Sequence, residues 1–244
     1  MGRTLVIGDI HGGYKALRQV LSRAEVTIED KLIFLGDYVD GWSEPDKVVD
    51  YLLELKEKQS CVFLRGNHET LLVKWLITKE VNKLWEFHGG DATLKVYKEM
   101  EPLSVDRHMD FFESLERYYI DSDNRLFVHA GFTNPKGIDA EFFEEYLYWD
   151  RTLWELAMAK DPNLTVKDEL YPRRLKHYSE IFIGHTPVTL FGFSEPQHFA
   201  NVWNIDTGAA FKGVISILDV DSKEYWQSDP VYTLYPEEVG RNHN

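Results

Sequence analysis

Three short apolar runs in the first 70 residues each stop at a glycine and continue into polar side chains of one kind. Leu5-Val6-Ile7 leads to Gly8-Asp9-Ile10-His11-Gly12-Gly13, and Leu32 to Gly36 leads to Asp37-Tyr38-Val39-Asp40-Gly41. Cys61 to Leu64 leads to Arg65-Gly66-Asn67-His68-Glu69. Roughly thirty residues with helical spacing separate each from the next, so the chain reads as strand, helix, strand, helix, strand. That alternation predicts parallel strand pairs with helices on the sheet faces. Ligands in such sheets bind at the carboxyl ends of the strands. Asp9, His11, Asp37, Asp40, Asn67 and His68 are therefore expected on one rim, joined by His129 and His185 from later strands.

Other elements follow from the same pattern. Tyr14 to Ala24 reads as a helix with Leu17, Val20 and Leu21 inward. Ser43-Glu44-Pro45-Asp46 reads as a helix start with Ser43 as N-cap, and Val48, Val49, Leu52, Leu53 and Leu55 as its buried face. Residues 81–118 are rich in aromatic and charged side chains at helical spacing and read as a helical insertion or cap. From Val188 onward short strands are expected at Val188–Phe191, Ala200–Asp206, Gly213–Val220 and Tyr225–Ser228, forming a second, more antiparallel sheet. No repeat or linker divides the chain, so residues 1–244 are expected to form one domain carrying the insertion.

Carboxylate, imidazole and amide donors together suit Mn²⁺, with Fe or Zn²⁺ as alternatives. Two such ions about 3.5–4 Å apart can share an Asp, and a hydroxide bridging them becomes a nucleophile. Each residue also has a plainer reading: a Gly-Asp pair as a turn, a buried His as a core residue, Asn67 as a helix N-cap. The ordered set of five strand ends is what favours metal. His88, His108, His177 and His198 lack that punctuation and read as structural or solvated, and His243 lies in a terminal tail expected to be mobile.

Composition narrows the function. Lys plus Arg number 27 against 41 Asp plus Glu, a net charge of −14, so neither nucleic acid nor an anionic membrane finds a basic surface. No run approaches the roughly 20 apolar residues of a membrane span, and the short N-terminal apolar run is no signal-peptide core. Leu5 stands where a myristoylation signal needs Ser or Thr. Cytoplasmic residence is expected; Cys61, the single cysteine, reads as a small buried hydrophobe, and Asn163-Leu164-Thr165 as an unused glycosylation match.

Taken together, the motifs Gly8-Asp9-Ile10-His11-Gly12, Gly36-Asp37-Tyr38-Val39-Asp40 and Gly66-Asn67-His68-Glu69, with His129 and Gly184-His185-Thr186, resemble the phosphoprotein phosphatases, the Ser/Thr-phosphatase branch of the calcineurin-like metallophosphoesterases. The resemblance implies a four-layer α/β sandwich, two mixed sheets flanked by helices. It implies that Asp9, His11 and Asp37 hold one metal and that Asp37 bridges to a second held by Asn67, His129 and His185. It makes His68 the general acid oriented by Asp40, adds Asn67 to the phosphate contacts, and implies no phosphoenzyme. Asn204-Ile205-Asp206-Thr207-Gly208 is similar to the family's last core strand, with Asp206 structural.

One position departs from the family. Its second motif continues Asp-Arg-Gly with an Arg that grips phosphate, whereas here Gly41 follows Asp40. Arg151, in Trp149-Asp150-Arg151, is similar to a second phosphate-contacting Arg; a surface ion pair is the plainer alternative. Arg65 is expected to pack structurally. The leading expectation is a phosphomonoesterase acting on phosphoserine or phosphothreonine, a phosphorylated protein or small phosphoester being its partner. A symmetrical dinucleoside polyphosphate hydrolase and an inactive metal-binding scaffold are the alternatives. The first alternative needs aromatic stacking surfaces, for which Trp75, Trp85, Phe87 and Tyr97 are candidates, although as helix residues they also suit a core.

Overall fold

The computed structural model describes residues 2–242, so His243 lies outside the described residues. The first half alternates as expected: β1 (Thr4–Ile7), α1 (Tyr14–Arg23), β2 (Lys31–Phe34), α2 (Pro45–Lys58), β3 (Cys61–Phe63), α3 (Asn67–Thr78). Then come α4 (Lys83–Trp85), α5 (Asp91–Glu99), α6 (Pro102–Glu113), β4 (Tyr118–Ile120) and β5 (Leu126–Val128). The remainder is α7 (Tyr146–Trp149), α8 (Thr152–Ala159), β6 (Ile181–Ile183), β7 (Gln197–Phe199), β8 (Val202–Asn204), β9 (Ser216–Asp219), β10 (Tyr225–Gln227) and α9 (Val231–Leu234).

Two five-stranded mixed sheets result, ordered β10-β9-β1-β2-β3 and β4-β5-β6-β8-β7. Strands β1, β2 and β3 run parallel, as do β5, β6 and β8, and antiparallel strands complete each sheet. The inner layer is Val6, Ile33, Val62, Phe127, Phe182 and Leu218 with their neighbours, and Phe127 stacks on Phe182 at 4.8 Å. Alternate residues of the same strands, such as Leu5, Ile7 and Phe34, pack outward against α1 and α2, and Leu126 and Ile183 pack against α8. Strands covered on both faces must be apolar at every position, which explains why these runs show no polar alternation. The layers are helix, sheet, sheet, helix: the expected four-layer sandwich.

Four local expectations need correcting. The strands after Val188 form no sheet of their own: β7 and β8 extend the second sheet, with β8 parallel to β6, whereas β9 and β10 return to the first. Alternation marks a strand but not its neighbour. Val188–Phe191 is a 3-10 turn, launched by Pro187 and closed by Gly192 at φ 83°, with Leu190 left exposed. Ser43 does not cap α2; Glu44 holds the N-cap position without a side-chain bond, and Ser43 Oγ donates to Glu238 instead. Leu53 is only half-buried.

The starts of β1 and β2 are tied by one ion pair. Arg3 Nη2 donates to Asp30 Oδ2 at 2.8 Å, and the backbone N–H groups of Arg3 and Thr27 donate to the same carboxylate at 2.9 Å each. Burial alone would push the Asp30 carboxyl up, but these donors outweigh it and draw it down to about 2. A carboxyl lowered on folding contributes stability above its unfolded value of about 3.9 and loses it as pH falls toward the folded value. Asp30→Asn should therefore cost about 1–2 kcal/mol at pH 7. In urea unfolding, the gap between wild type and variant should narrow steadily below about pH 4. A gap independent of pH would show that the charge contributes nothing.

Candidate metal centre

Every residue expected on the rim arrives there, and the backbone is bent to deliver it. His11, Asp37, Asp40 and His185 all have positive φ, between 52° and 70°, a conformation uncommon outside glycine in which Asp and His are found more often than most residues. Two glycines give the carboxylates room: a Cβ on Gly66 would meet Asp37 Oδ1 at 2.2 Å, and one on Gly184 would meet Asp9 Oδ1 at 2.1 Å.

His11, Asp37 and His68 offer ligand atoms all within 4.8 Å of one another, as do Asp37, His129 and His185, so Asp37 lies between the two groups. Asp37 Oδ2 is 3.5 Å from His11 Nε2, and its Oδ1 is 3.4 Å from His129 Nε2. Asp9 approaches His11 Nε2 at 3.8 Å while accepting the His185 backbone N–H at 3.2 Å. Asn67 is the first residue of α3, not its cap, and its Oδ1 points at His129 Nε2 (3.1 Å) and His185 Nδ1 (2.9 Å).

This donor set fits divalent cations. His129 Nδ1 donates to the Leu35 carbonyl at 2.8 Å, which leaves Nε2 as a lone pair facing the oxygens of Asn67 and Asp37. Acceptors turned toward one another call for a positive centre between them, and a backbone-anchored imidazole is the usual way to aim such a lone pair. His11 Nδ1 and His185 Nε2 are buried without partners among the described residues. Burial holds His11 and His185 well below the ordinary imidazole range, so both stand as neutral donors. Burial, Asp206 and Asp37 push Asp9 well up, and burial takes Asp206 to about 7, so these carboxylates stand crowded together. Burial works against ionisation of Asp37 as well, but His129, His68 and His11 keep it below the carboxylate range.

His68 and Asp40 form the expected pair at 2.5 Å, Nδ1 to Oδ2. The supposed insertion holds that pair. Trp85 Nε1 donates to the same Asp40 Oδ2 at 2.6 Å, and the Asp40 backbone N–H donates to Thr93 Oγ1 at 2.9 Å. Glu69 was unassigned by the motifs. Its buried carboxylate accepts backbone N–H groups of Gly66 (2.9 Å), Asp37 (2.9 Å) and Tyr38 (2.7 Å), clamping the second motif onto the third. The box-like spacing of Glu69 after Gly66 was the available signal. Asp206, expected to be structural, binds the Gly208 N–H but also lines the metal-side cleft.

A cavity of about 270 Å³ opens beside this cluster, lined by Leu71, Asn82, Leu84, Trp85, His88 and Trp149 besides the polar residues. Arg151 lines it and reaches Thr186 Oγ1 at 3.3 Å. Arg241, which no sequence motif marked, lines it too. His88 is thus at the site rather than remote from it. His108 is buried between Asp50 and Tyr97, His177 bonds to the Pro135 carbonyl, and His198 stacks on Trp203. Arg65 donates to the Phe112 carbonyl, as structural packing requires.

The sequence signature described as Calcineurin-like phosphoesterase matches residues 2–207. The chain belongs to the calcineurin-like phosphoesterase family. Among relatives, the bis(5'-nucleosyl)-tetraphosphatase PrpE [asymmetrical] of Anoxybacillus flavithermus is 24% identical over 228 residues, covering 87% of this chain and 88% of that one. The protein of the same name from Bacillus cereus strain Q1 is 26% identical over 230 residues, covering 86% and 87%. A putative diadenosine tetraphosphatase shares the fold with a TM-score of 0.63 at 16% identity, over 93% of this chain and 92% of that one. A Saccharomyces cerevisiae protein serine/threonine phosphatase also gives 0.63, at 14% identity over 93% and 80%. One phosphoesterase fold thus carries different substrates, so the branch must be argued from the site. No helix among the described residues is long and apolar enough to cross a membrane.

Cation binding should stabilise this phosphoesterase. With Mn²⁺ at about 100 times its dissociation constant, linkage predicts roughly 2.7 kcal/mol, a rise in Tm of about 5–10 °C for a chain of this size. Chelator-treated protein titrated with Mn²⁺ in a thermal-shift assay checks it, and Asp37→Asn should remove most of the gain. Equal rises in both proteins would place the cation elsewhere.

Proposed function

We propose that this chain is a dinuclear metal-dependent hydrolase of nucleoside polyphosphates, acting off-centre on a dinucleoside polyphosphate. The observation that carries this reading is the 270 Å³ cavity, whose wall of Leu71, Leu84, Trp85 and Trp149 is apolar beside the polar cluster. That is near the lower end of the size of small-molecule sites, and far more than one phosphate needs. Trp149 lines this wall and is 44% exposed, which leaves it accessible to a base. Of the four aromatics considered for stacking, Trp75, Trp85 and Tyr97 are core residues, and Phe87 is exposed. The relatives' names support a nucleotide substrate, and the asymmetrical designation they carry favours off-centre cleavage over the symmetrical mode of the alternative above. A smaller cleft of about 80 Å³ adjoins the first, the two sharing Arg151, His185 and Arg241. The phosphoprotein reading has only the motifs, which the two substrate classes share.

In this scheme Asp9, His11 and Asp37 would hold one ion, and Asp37, Asn67, His129 and His185 would hold the other. Bound divalent ions would supply Lewis acidity at the phosphoryl oxygens and an acidified water. The protein's own part is positional. Glu69 fixes the two loops that carry Asp37 and Asn67, and Arg151 and Asn67 meet the phosphate. Burial lowers the His68 imidazole, but Asp37 and Asp40 outweigh it and raise it, favouring a proton available for the departing oxygen. The Asp40–Trp85 bond keeps that imidazole from rotating.

Two experiments follow. His68→Asn should slow hydrolysis of an alkyl phosphate by about 10²–10⁴ and a phosphoanhydride by less, since its leaving group needs less protonation. Unchanged rates on the poor leaving group would remove His68 from proton transfer. Trp149→Ala should raise KM for diadenosine tetraphosphate by about tenfold, the loss of roughly one stacked base, and leave p-nitrophenyl phosphate unaltered. Efficient turnover of a phosphothreonine peptide, with none of the dinucleotide, would overturn the nucleotide reading.

A further inference from the structure

Gly41 stands where the resemblance calls for an arginine, and the side chain of another arginine passes beside that position. A Cβ built on Gly41 would lie 3.3 Å from the His11 carbonyl oxygen and in ordinary contact, 3.8 Å, with Arg241 Cγ, from a segment two hundred residues away in sequence. Gly41 itself has φ 92° and gives its N–H to the Gly89 carbonyl at 2.9 Å, a backbone that an arginine would adopt only under strain.

The arm that brings Arg241 is fastened to the residues just after Gly41. Tyr235 stacks on Trp42 at 5.4 Å and donates to Glu44 Oε2 at 2.5 Å. Glu238 accepts from Ser43 Oγ (2.6 Å) and Ser43 N (3.0 Å). Gly240, at φ 56°, passes so close to Trp42 that a Cβ would meet its ring at 2.7 Å, and the Arg241 N–H donates to the Ala210 carbonyl at 2.9 Å. A chain path this constrained sets the guanidinium's position rather than leaving it to a swinging tail.

The guanidinium is also chemically free to bind. It lies 5.1 Å above the Phe211 ring, Nη1 is 3.2 Å from His68 Nε2, and Nε is buried without a partner. No carboxylate pairs with it among the described residues. It lines both clefts, as Arg151 does. An anion oxygen next to His68 would be within its reach.

We propose that Arg241 is the phosphate clamp of this site, delivered by the C-terminal arm into the space vacated at Gly41 and acting with Arg151. The proposal rests on the phosphoester reading above. Arg241 can donate to His68 Nε2 only while that nitrogen is unprotonated; substrate oxygens that draw the guanidinium away leave Nε2 free to take up the proton it gives to the leaving group. A forked guanidinium can give two parallel bonds to one phosphate, which a lysine cannot.

The test uses the full-length chain loaded with Mn²⁺. Inorganic phosphate is the probe, read both as competitive inhibition of p-nitrophenyl phosphate hydrolysis and as a phosphate-induced rise in Tm. Arg241→Ala should raise the inhibition constant by about 10- to 100-fold and abolish the phosphate-induced shift while leaving the phosphate-free Tm within a degree or two. Arg241→Lys should recover only part of the loss, and millimolar guanidinium should restore activity to the alanine variant. An unchanged inhibition constant in Arg241→Ala overturns the proposal. So does a loss that guanidinium fails to rescue and that accompanies a fall in the phosphate-free Tm, since that marks a packing role. If phosphate neither inhibits nor stabilises the wild type, the clamp is overturned; if the wild type turns over neither p-nitrophenyl phosphate nor diadenosine tetraphosphate, the phosphoester reading beneath it fails instead.

Discussion

The site depends on one buried carboxylate. Glu69 is fully enclosed and accepts N–H groups from Gly66, Asp37 and Tyr38, so two loops from different strands share one anchor. These three bonds take over where the ladder between β2 and β3 ends. Asp37 then sits against Asn67 by construction. Burial and the nearby Asp37 push Glu69 up to about 8, opposed by the N–H groups of Tyr38 and Gly66. The anchor is therefore under electrostatic load, and positive charge placed beside Asp37 would relieve it.

The overall charge of −14 is answered locally. Around the cluster stand neutral imidazoles on the inside and two arginines, Arg151 and Arg241, at the mouth. Both arginines line the same clefts as Asp37 and Asp206, so positive charge stands beside the carboxylates there. The field that matters is that of a cleft rather than of the whole surface.

Much of the site was legible in the sequence because its residues lie at strand ends, in short motifs with regular spacing. Asp9, His11, Asp37, Asp40, Asn67, His68, His129 and His185 converge in the structure, and the parallel core was readable from uninterrupted apolar runs. What was not legible is tertiary. Trp85 looked like a core residue and is one, yet its indole N–H also fixes Asp40; periodicity reports burial, not a bond made at the buried edge. Arg241 lies in an unpatterned tail and gains meaning only from its approach to Gly41. The sheet membership of β9 and β10 was hidden because pairing is decided by the whole topology, and Val188–Phe191 because four apolar residues fit a turn as well as a strand.

The backbone at His11, Asp37, Asp40 and His185 is held in a region that costs non-glycine residues about 1–2 kcal/mol each. An engineer who selects variants of this chain for heat resistance alone should find these four positions among the first to change, to glycine or asparagine. Each such gain would remove a side chain the chemistry needs. Screens for robustness must therefore be run with turnover as a second criterion, because at this rim endurance and competence draw on the same residues in opposite directions.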